Sequence, residues 1–169
     1  MIRKIALPAL IFFYFFLLTQ SQSKRFLLHF LLDNTIKNEK SLLILADTIQ
    51  YPESYLWIDV RQANEYAVSH IPDAIIYKDS MAINKAIEEN HYKKIIYYCS
   101  IGFRSGEAAE KSPFTRQGYT VYNLYGGIFD WAASGFEMLD SSGIKTHNLH
   151  PYNLLWGWFA TIKGYSLQN

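Results

Sequence analysis

Lys94-Ile95-Ile96-Tyr97-Tyr98-Cys99-Ser100-Ile101-Gly102-Phe103-Arg104-Ser105 decides how this chain is read, because an apolar strand here gives way to a turn and a helix around the sole cysteine. A strand-to-helix turn aims successive backbone N–H groups into one concavity, and the helix adds the positive end of its dipole. An anion is stabilised there. Free cysteine ionises near pH 8.5, and helix N-termini draw thiols toward the reactive thiolate. Gly102 allows a tight turn with positive φ, and Arg104 brings a fixed cation with a forked donor face. An isolated cysteine at the end of a core strand is ordinarily a small inert hydrophobe. The Ser-Ile-Gly-Phe-Arg-Ser run after Cys99 argues instead for a nucleophile.

Outward from this stretch, strands and helices alternate. Residues 42–49 show helical spacing, 55–60 and 74–77 read as strands, and Ser80–Asn90 reads as a polar-apolar helix. After the strand Lys94–Tyr98 comes a helix over 104–117 that Pro113 breaks near Lys111-Ser112, with Gly118 as its stop. Thr120–Leu124 reads as another strand and 127–134 as a short helix closed by Gly135. The pattern predicts an α/β fold, a mainly parallel sheet with helices on both faces. Ligands of such sheets bind at strand carboxyl ends, where the Cys99 loop falls.

The 169 residues suffice for one ordinary domain, and 50% hydrophobic content supplies a core. Sixteen basic residues against fifteen acidic give a net charge of +1 without an internal basic run, so nothing points to a nucleic-acid partner. Cys/His metal spacing and a phosphate-binding Gly-Lys-Ser/Thr loop are absent from the sequence, which indicates neither metal nor cofactor.

Three ordered motifs resemble the rhodanese-like sulfurtransferases. Leu56-Trp57-Ile58-Asp59-Val60-Arg61, with Glu65-Tyr66 and His70-Ile71-Pro72-Asp73-Ala74, is similar to the family's first signature. Cys99, Gly102, Arg104 and Ser105 match Cys-x-x-Gly-x-Arg-Ser, and Asn123-Leu124, Gly126-Gly127-Ile128 and Trp131 match the third. Ser69 and Asp73 stand where the family uses glycine. The resemblance covers about residues 40–138 and implies sulfur transfer through a persulfide on Cys99, cradled by Ser100, Ile101, Gly102, Phe103, Arg104 and Ser105. A small sulfur-containing donor and a thiol or protein cysteine acceptor would be its partners. Asp59 and Arg61 are supporting residues that fix the loop, His70 a structural histidine, Gly126-Gly127 a tight turn beside the loop, and Trp131 core.

Loop length bears on the chemistry. Four residues separate Cys99 from Arg104, against five in cysteine phosphatases and arsenate reductases, and the tighter ring suits a single sulfur better than a tetrahedral phosphate. A phosphatase also needs a leaving-group acid, for which the fold could offer only Asp59 or Glu65. The rival from another class is a non-enzymatic rhodanese-like module that binds a protein; retention of Cys99 with Gly102 and Arg104 favours the enzyme.

Both ends have their own character. Arg3-Lys4, the apolar residues 5–18 and small residues up to Ser23 have signal-peptide architecture, the apolar run falling short of the roughly 18 residues of a spanning helix. Residues 1–23 are therefore expected to be a signal peptide or a membrane anchor, 24–39 a lead-in helix and 40–138 the domain, exported to a periplasmic or other extracytoplasmic space. Residues 139–169 form a tail: Ser141-Ser142-Gly143 reads as a linker, and Pro151 opens an amphipathic helix with Leu154, Leu155, Trp158, Phe159 and Ile162 on one face. That helix either docks on the domain or meets a membrane surface or partner.

Overall fold

Side chains of successive strand residues point to opposite faces, so a strand apolar at every position needs cover on both sides. The computed structural model describes residues 26, 29, 30, 32, 33, 42–152, 156, 157 and 166–168, and shows that arrangement. Strands β1 (Leu42–Ile44), β2 (Leu56–Asp59), β3 (Ile75–Ile76), β4 (Lys94–Tyr98) and β5 (Thr120–Leu124) form one sheet in the order β1-β5-β4-β2-β3. Every pairing in it is parallel. Between and after the strands lie helices α1 (Ala63–Val68), α2 (Ser80–Asn90), α3 (Phe103–Glu110) and α4 (Gly127–Ala133).

The two faces divide the core. Leu56, Ile58, Ile95, Tyr97 and Val121 pack with Ile83 of α2, Ala109 of α3 and Phe114. Their neighbours Trp57, Ile96, Tyr98 and Leu124 face the other way, onto Ile128, Phe129 and Trp131 of α4 and onto Leu32. Each fully buried aliphatic side chain contributes about 1.5–3 kcal/mol relative to exposure. The predicted layered α/β architecture is therefore present. Described residues 26, 29, 30, 32 and 33, within the expected lead-in, are helical, and this segment is fastened to the domain by Tyr125, whose hydroxyl donates to Asp33, and by His29, whose Nε2 lies 2.9 Å from Asp130 Oδ1.

Local chemistry explains the breaks. Helix α3 stops before Ser112, whose hydroxyl accepts the Phe114 N–H at 3.3 Å, and Pro113 opens a separate 3-10 turn through Gln117 that ends on Gly118 at φ 87°. Asp73 adopts φ 61°, the left-handed conformation for which the family uses glycine and which aspartate tolerates better than most residues. Ser69, with φ −166°, is ordinary extended backbone, so its departure from glycine is harmless.

Two expectations are corrected, and two further elements were not foreseen. Residues 42–49 are not a helix: Leu42–Ile44 pairs with β5, and Ala46–Thr48 is a 3-10 turn. A continuous apolar run carries no decisive period, and an open position beside Asn123 and Leu124 made it an edge strand. Ser141-Ser142-Gly143 is no linker but a tight turn, organised by the Asp140 carboxylate, which accepts the N–H groups of Ser142 and Ile144 at 2.8 and 3.0 Å. The tail also holds two short parallel strands, β6 (Asn148–Leu149) and β7 (Ser166–Leu167), that no local pattern announced. Helix α1 was equally unannounced, since it starts at Gln62 through a capping box with Glu65 and not at a usual N-cap residue.

No helix among the described residues is long and apolar enough to cross a membrane. The expected signal or anchor at 1–23 lies outside the described residues, as does the apolar face assigned to Leu154, Leu155, Trp158, Phe159 and Ile162; of that helix Trp156 and Gly157 are described, and both are helical.

Candidate active site

Strand β4 delivers Cys99 at its carboxyl end, between the ends of β2 and β5, and the chain turns there into α3. Gly102 makes the turn at φ 102°, and its N–H points back at Cys99 Sγ, 3.1 Å away. Two supports hold the loop from outside. From β5, Asn123 donates Nδ2 to the Gly102 carbonyl at 2.9 Å and accepts the Ser105 hydroxyl at 2.7 Å. From α4, the N–H groups of Ile128 and Phe129 reach the carbonyls of Cys99 and Ser100 at 2.9 and 3.2 Å. Gly127 permits that approach: a Cβ on it would lie 2.3 Å from the Cys99 carbonyl oxygen.

Arg104 rises from the first turn of α3 and meets Glu65 of α1. Its two terminal nitrogens donate to the two Glu65 oxygens at 2.9 and 2.8 Å, and one also donates to Ser100 Oγ at 3.1 Å. Burial lifts the Glu65 carboxyl, but hydrogen bonds from Arg104 and the Gln62 N–H, with the Arg104 charge, hold it down at about 2. Burial works against the Arg104 charge and the Glu65 bonds outweigh it, so the guanidinium ionises above its ordinary value. Glu65 is thus an anion at neutral pH with no proton to give, which removes it as a leaving-group acid.

Asp59 and Arg61 form a second pair below the loop, both side chains fully buried. Arg61 donates Nε and a terminal nitrogen to the Asp59 carboxylate at 3.0 and 2.7 Å, and that terminal nitrogen also reaches the Ser69 carbonyl at 2.6 Å. They tie β2 to the turn before His70, as a structural role requires. His70 stacks on Tyr66 with ring centroids 3.9 Å apart, its Nδ1 3.1 Å from the Tyr66 carbonyl, and burial lowers its pKa. Trp131 is core, edge-on to Trp57.

A cavity of about 240 Å³ opens over Cys99, lined by Cys99, Ser100, Ile101, Phe103, Arg104, Tyr152 and Trp156. Cys99 lies at its floor, 1% exposed. Among the expected cradle residues, Gly102 and Ser105 do not line it: Gly102 acts through its backbone, and Ser105 turns its hydroxyl into the body of the domain. Asp59 and Arg61 are also away from it. Sequence reasoning missed Asn123 as the loop's support, Glu65 as the partner of Arg104, and Tyr152 and Trp156 as walls. Asn123 stood inside a quoted motif; the tail's aromatic content was the available signal for the walls.

The family model for the Rhodanese-like domain matches residues 44–134. This chain belongs to the rhodanese-like family. A sulfurtransferase from Allochromatium vinosum is 33% identical over 111 residues, which span 65% of this chain and 98% of that protein. The thiosulfate:glutathione sulfurtransferase of Saccharomyces cerevisiae is 32% identical over 97 residues, 49% of this chain and 68% of that one. A solved structure of a rhodanese-related protein from Thermoplasma volcanium aligns with TM-score 0.47 and 26% identity, covering 58% of this chain and 97% of its own. The family match includes Cys99 through Ser105 within residues 44–134. The walls from Tyr152 and Trp156 lie beyond the residues 44–134 that the family model matches.

Proposed function

We propose that the protein is a sulfurtransferase that carries a sulfane sulfur on Cys99 from a thiosulfate-type donor to a thiol. The Cys99 thiolate attacks the terminal sulfur of the donor; a new S–S bond forms at Cys99, the donor's S–S bond breaks, and its electron pair leaves with sulfite or a sulfinate. A thiolate acceptor then attacks the outer sulfur of the persulfide, and the Cys99 thiolate departs. Two half-reactions through one covalent intermediate give ping-pong kinetics. The observation that carries this reading is the reactive-loop geometry: a sulfur on the floor of a small cavity, receiving the Gly102 N–H, in a six-residue Cys-to-Arg loop. The apolar residues 5–18 behind Arg3-Lys4 support export, with the domain acting outside the cytoplasm.

Intact mass of the purified protein after thiosulfate treatment tests the mechanism: one sulfur atom is gained, and Cys99→Ser gains none while unfolding at an unchanged denaturant midpoint. Sulfur transfer retained by Cys99→Ser would sink it. N-terminal sequencing tests export, the expected starts being Gln22 or Lys24 after cleavage, or Met1 in the membrane fraction for an anchor. Met1 in a soluble cytosolic fraction refutes it.

A further inference from the structure

The walls of the Cys99 cavity come from two sources with opposite character. The loop contributes Arg104, the one cation among the described lining residues, but both terminal nitrogens of that guanidinium are engaged by Glu65, so the pair brings almost no net charge to the cavity. The tail contributes aromatic surface. The Tyr152 ring lies over the guanidinium, 4.9 Å from its Cζ, and Trp156 closes another side. With Ile101 and Phe103 the lining is chiefly apolar, apart from the backbone N–H groups around the sulfur.

The tail is built to be there. Leu149 is fully buried, and β6 pairs with β7. Gly157 packs so closely on Pro151 that a Cβ would lie 2.8 Å from the proline's Cβ. Tyr152 takes φ 60°, a left-handed conformation that is strained for a bulky residue, with its N–H donated to His150 Nδ1 at 3.1 Å. Such strain persists where surroundings enforce it and marks sites where placement matters.

We propose that Tyr152 and Trp156 are specificity-determining residues that make this site select an organic thiosulfate-type donor, one negative charge on an apolar body, over the inorganic thiosulfate dianion. The proposal rests on sulfur transfer at Cys99 and names the donor class within it. A dianion entering this cavity finds a cation already neutralised and loses water against aromatic rings, which is costly. A thiosulfonate places its single charge at the loop N–H groups and its body against Trp156 and Tyr152. The electron count is the same for both: the sulfane sulfur moves to Cys99, and sulfinate leaves in place of sulfite.

The full chain decides this with benzenethiosulfonate and thiosulfate as a matched pair of donors. Expected is a kcat/KM higher for benzenethiosulfonate by on the order of tenfold, as one apolar group in a fitted pocket supplies. Trp156→Ala and Tyr152→Ala each shrink that ratio by raising KM for benzenethiosulfonate, and Trp156→Phe keeps most of it even where Trp156→Ala proves too unstable to assay. Alkylation of Cys99 by N-benzyliodoacetamide against iodoacetamide, followed by intact mass, reads the same wall without sulfur transfer. A preference for thiosulfate, or ratios indifferent to both tail residues, overturns the proposal and leaves sulfur transfer standing. Absence of a persulfide from either donor, with the alkylation preference intact, overturns the sulfur-transfer reading and the donor class together while retaining the aromatic wall.

Discussion

Two arginine–carboxylate pairs stand at neighbouring strand ends, and they differ in what they can do. Arg61–Asp59 follows β2 with both side chains at 0% exposure; Arg104–Glu65 follows β4 with 28% and 4%. Chemistry and bidentate geometry are shared. A sealed pair has paid the desolvation of both ions and works as a lock, because removing one partner strands the other in a dry interior. An open pair keeps a face toward a cavity, so changing it alters the field felt by a ligand as well as stability. The lock sits under the loop and the adjustable pair beside it.

The largest effect should come from breaking the lock. Arg61→Ala leaves Asp59 buried without a counter-charge, keeping the backbone N–H of residue 61 at 2.9 Å, and should cost about 3–5 kcal/mol in chemical denaturation. A loss below about 1 kcal/mol would show that Asp59 finds water or another donor, and the contrast between the pairs would vanish.

Acid should come next, acting on the open pair. The Glu65 carboxyl ionises near 2 in the folded chain against an ordinary value of 4.5. Its folded pKa is depressed, so its contribution is fully present above about pH 4.5 and is lost as pH falls toward 2. The loss amounts to on the order of 3 kcal/mol. Denaturant midpoints from pH 6 to 2 measure it, and Glu65→Gln should flatten the profile across that window. An unchanged slope in the variant would assign the acid sensitivity to other carboxylates.

The smallest effect sharpens the contrast. Glu65→Gln also frees the Arg104 charge toward the cavity, and at this partly solvent-screened position that charge is worth up to about 1 kcal/mol to an anionic ligand, or roughly a fivefold change in an equilibrium. The thiosulfate KM should fall by up to that factor, with a smaller change for a neutral persulfide donor. Equal changes for both donors would mean that Glu65 does not set the charge Arg104 presents.

The central strands were legible in the sequence because β4 and β5 are short apolar runs bounded by breakers, and Cys99 with Gly102 and Arg104 sits where such strands place reactive loops. Pro113 announced the break in α3 by what it cannot do. The 42–45 run was misread because four consecutive apolar residues fit either period, and only a neighbouring strand decides between them. Glu65 and Arg104 lie 39 residues apart, and nothing local to either residue names the other. The parallel pairing of β6 with β7 is long-range in the same sense. Tyr152 and Trp156 could be recognised as apolar, but their place over Cys99 follows from the Asp140 turn and the buried Leu149, which act only once the sheet exists.

The position of those two aromatic residues late in the chain has a consequence in time. Synthesis runs from the N-terminus, so every strand of the sheet and the whole Cys99 loop emerge before Tyr152 does. During that interval the cavity over the thiol lacks the walls that Tyr152 and Trp156 supply, and a chain clipped after the Asp140 turn would lack them permanently. Sulfenic acid formation at an uncovered thiolate is the first rung of a ladder whose upper steps are irreversible. The tail therefore also determines how long the newborn enzyme is chemically vulnerable, and a nascent or truncated chain should be the form in which oxidative damage accumulates.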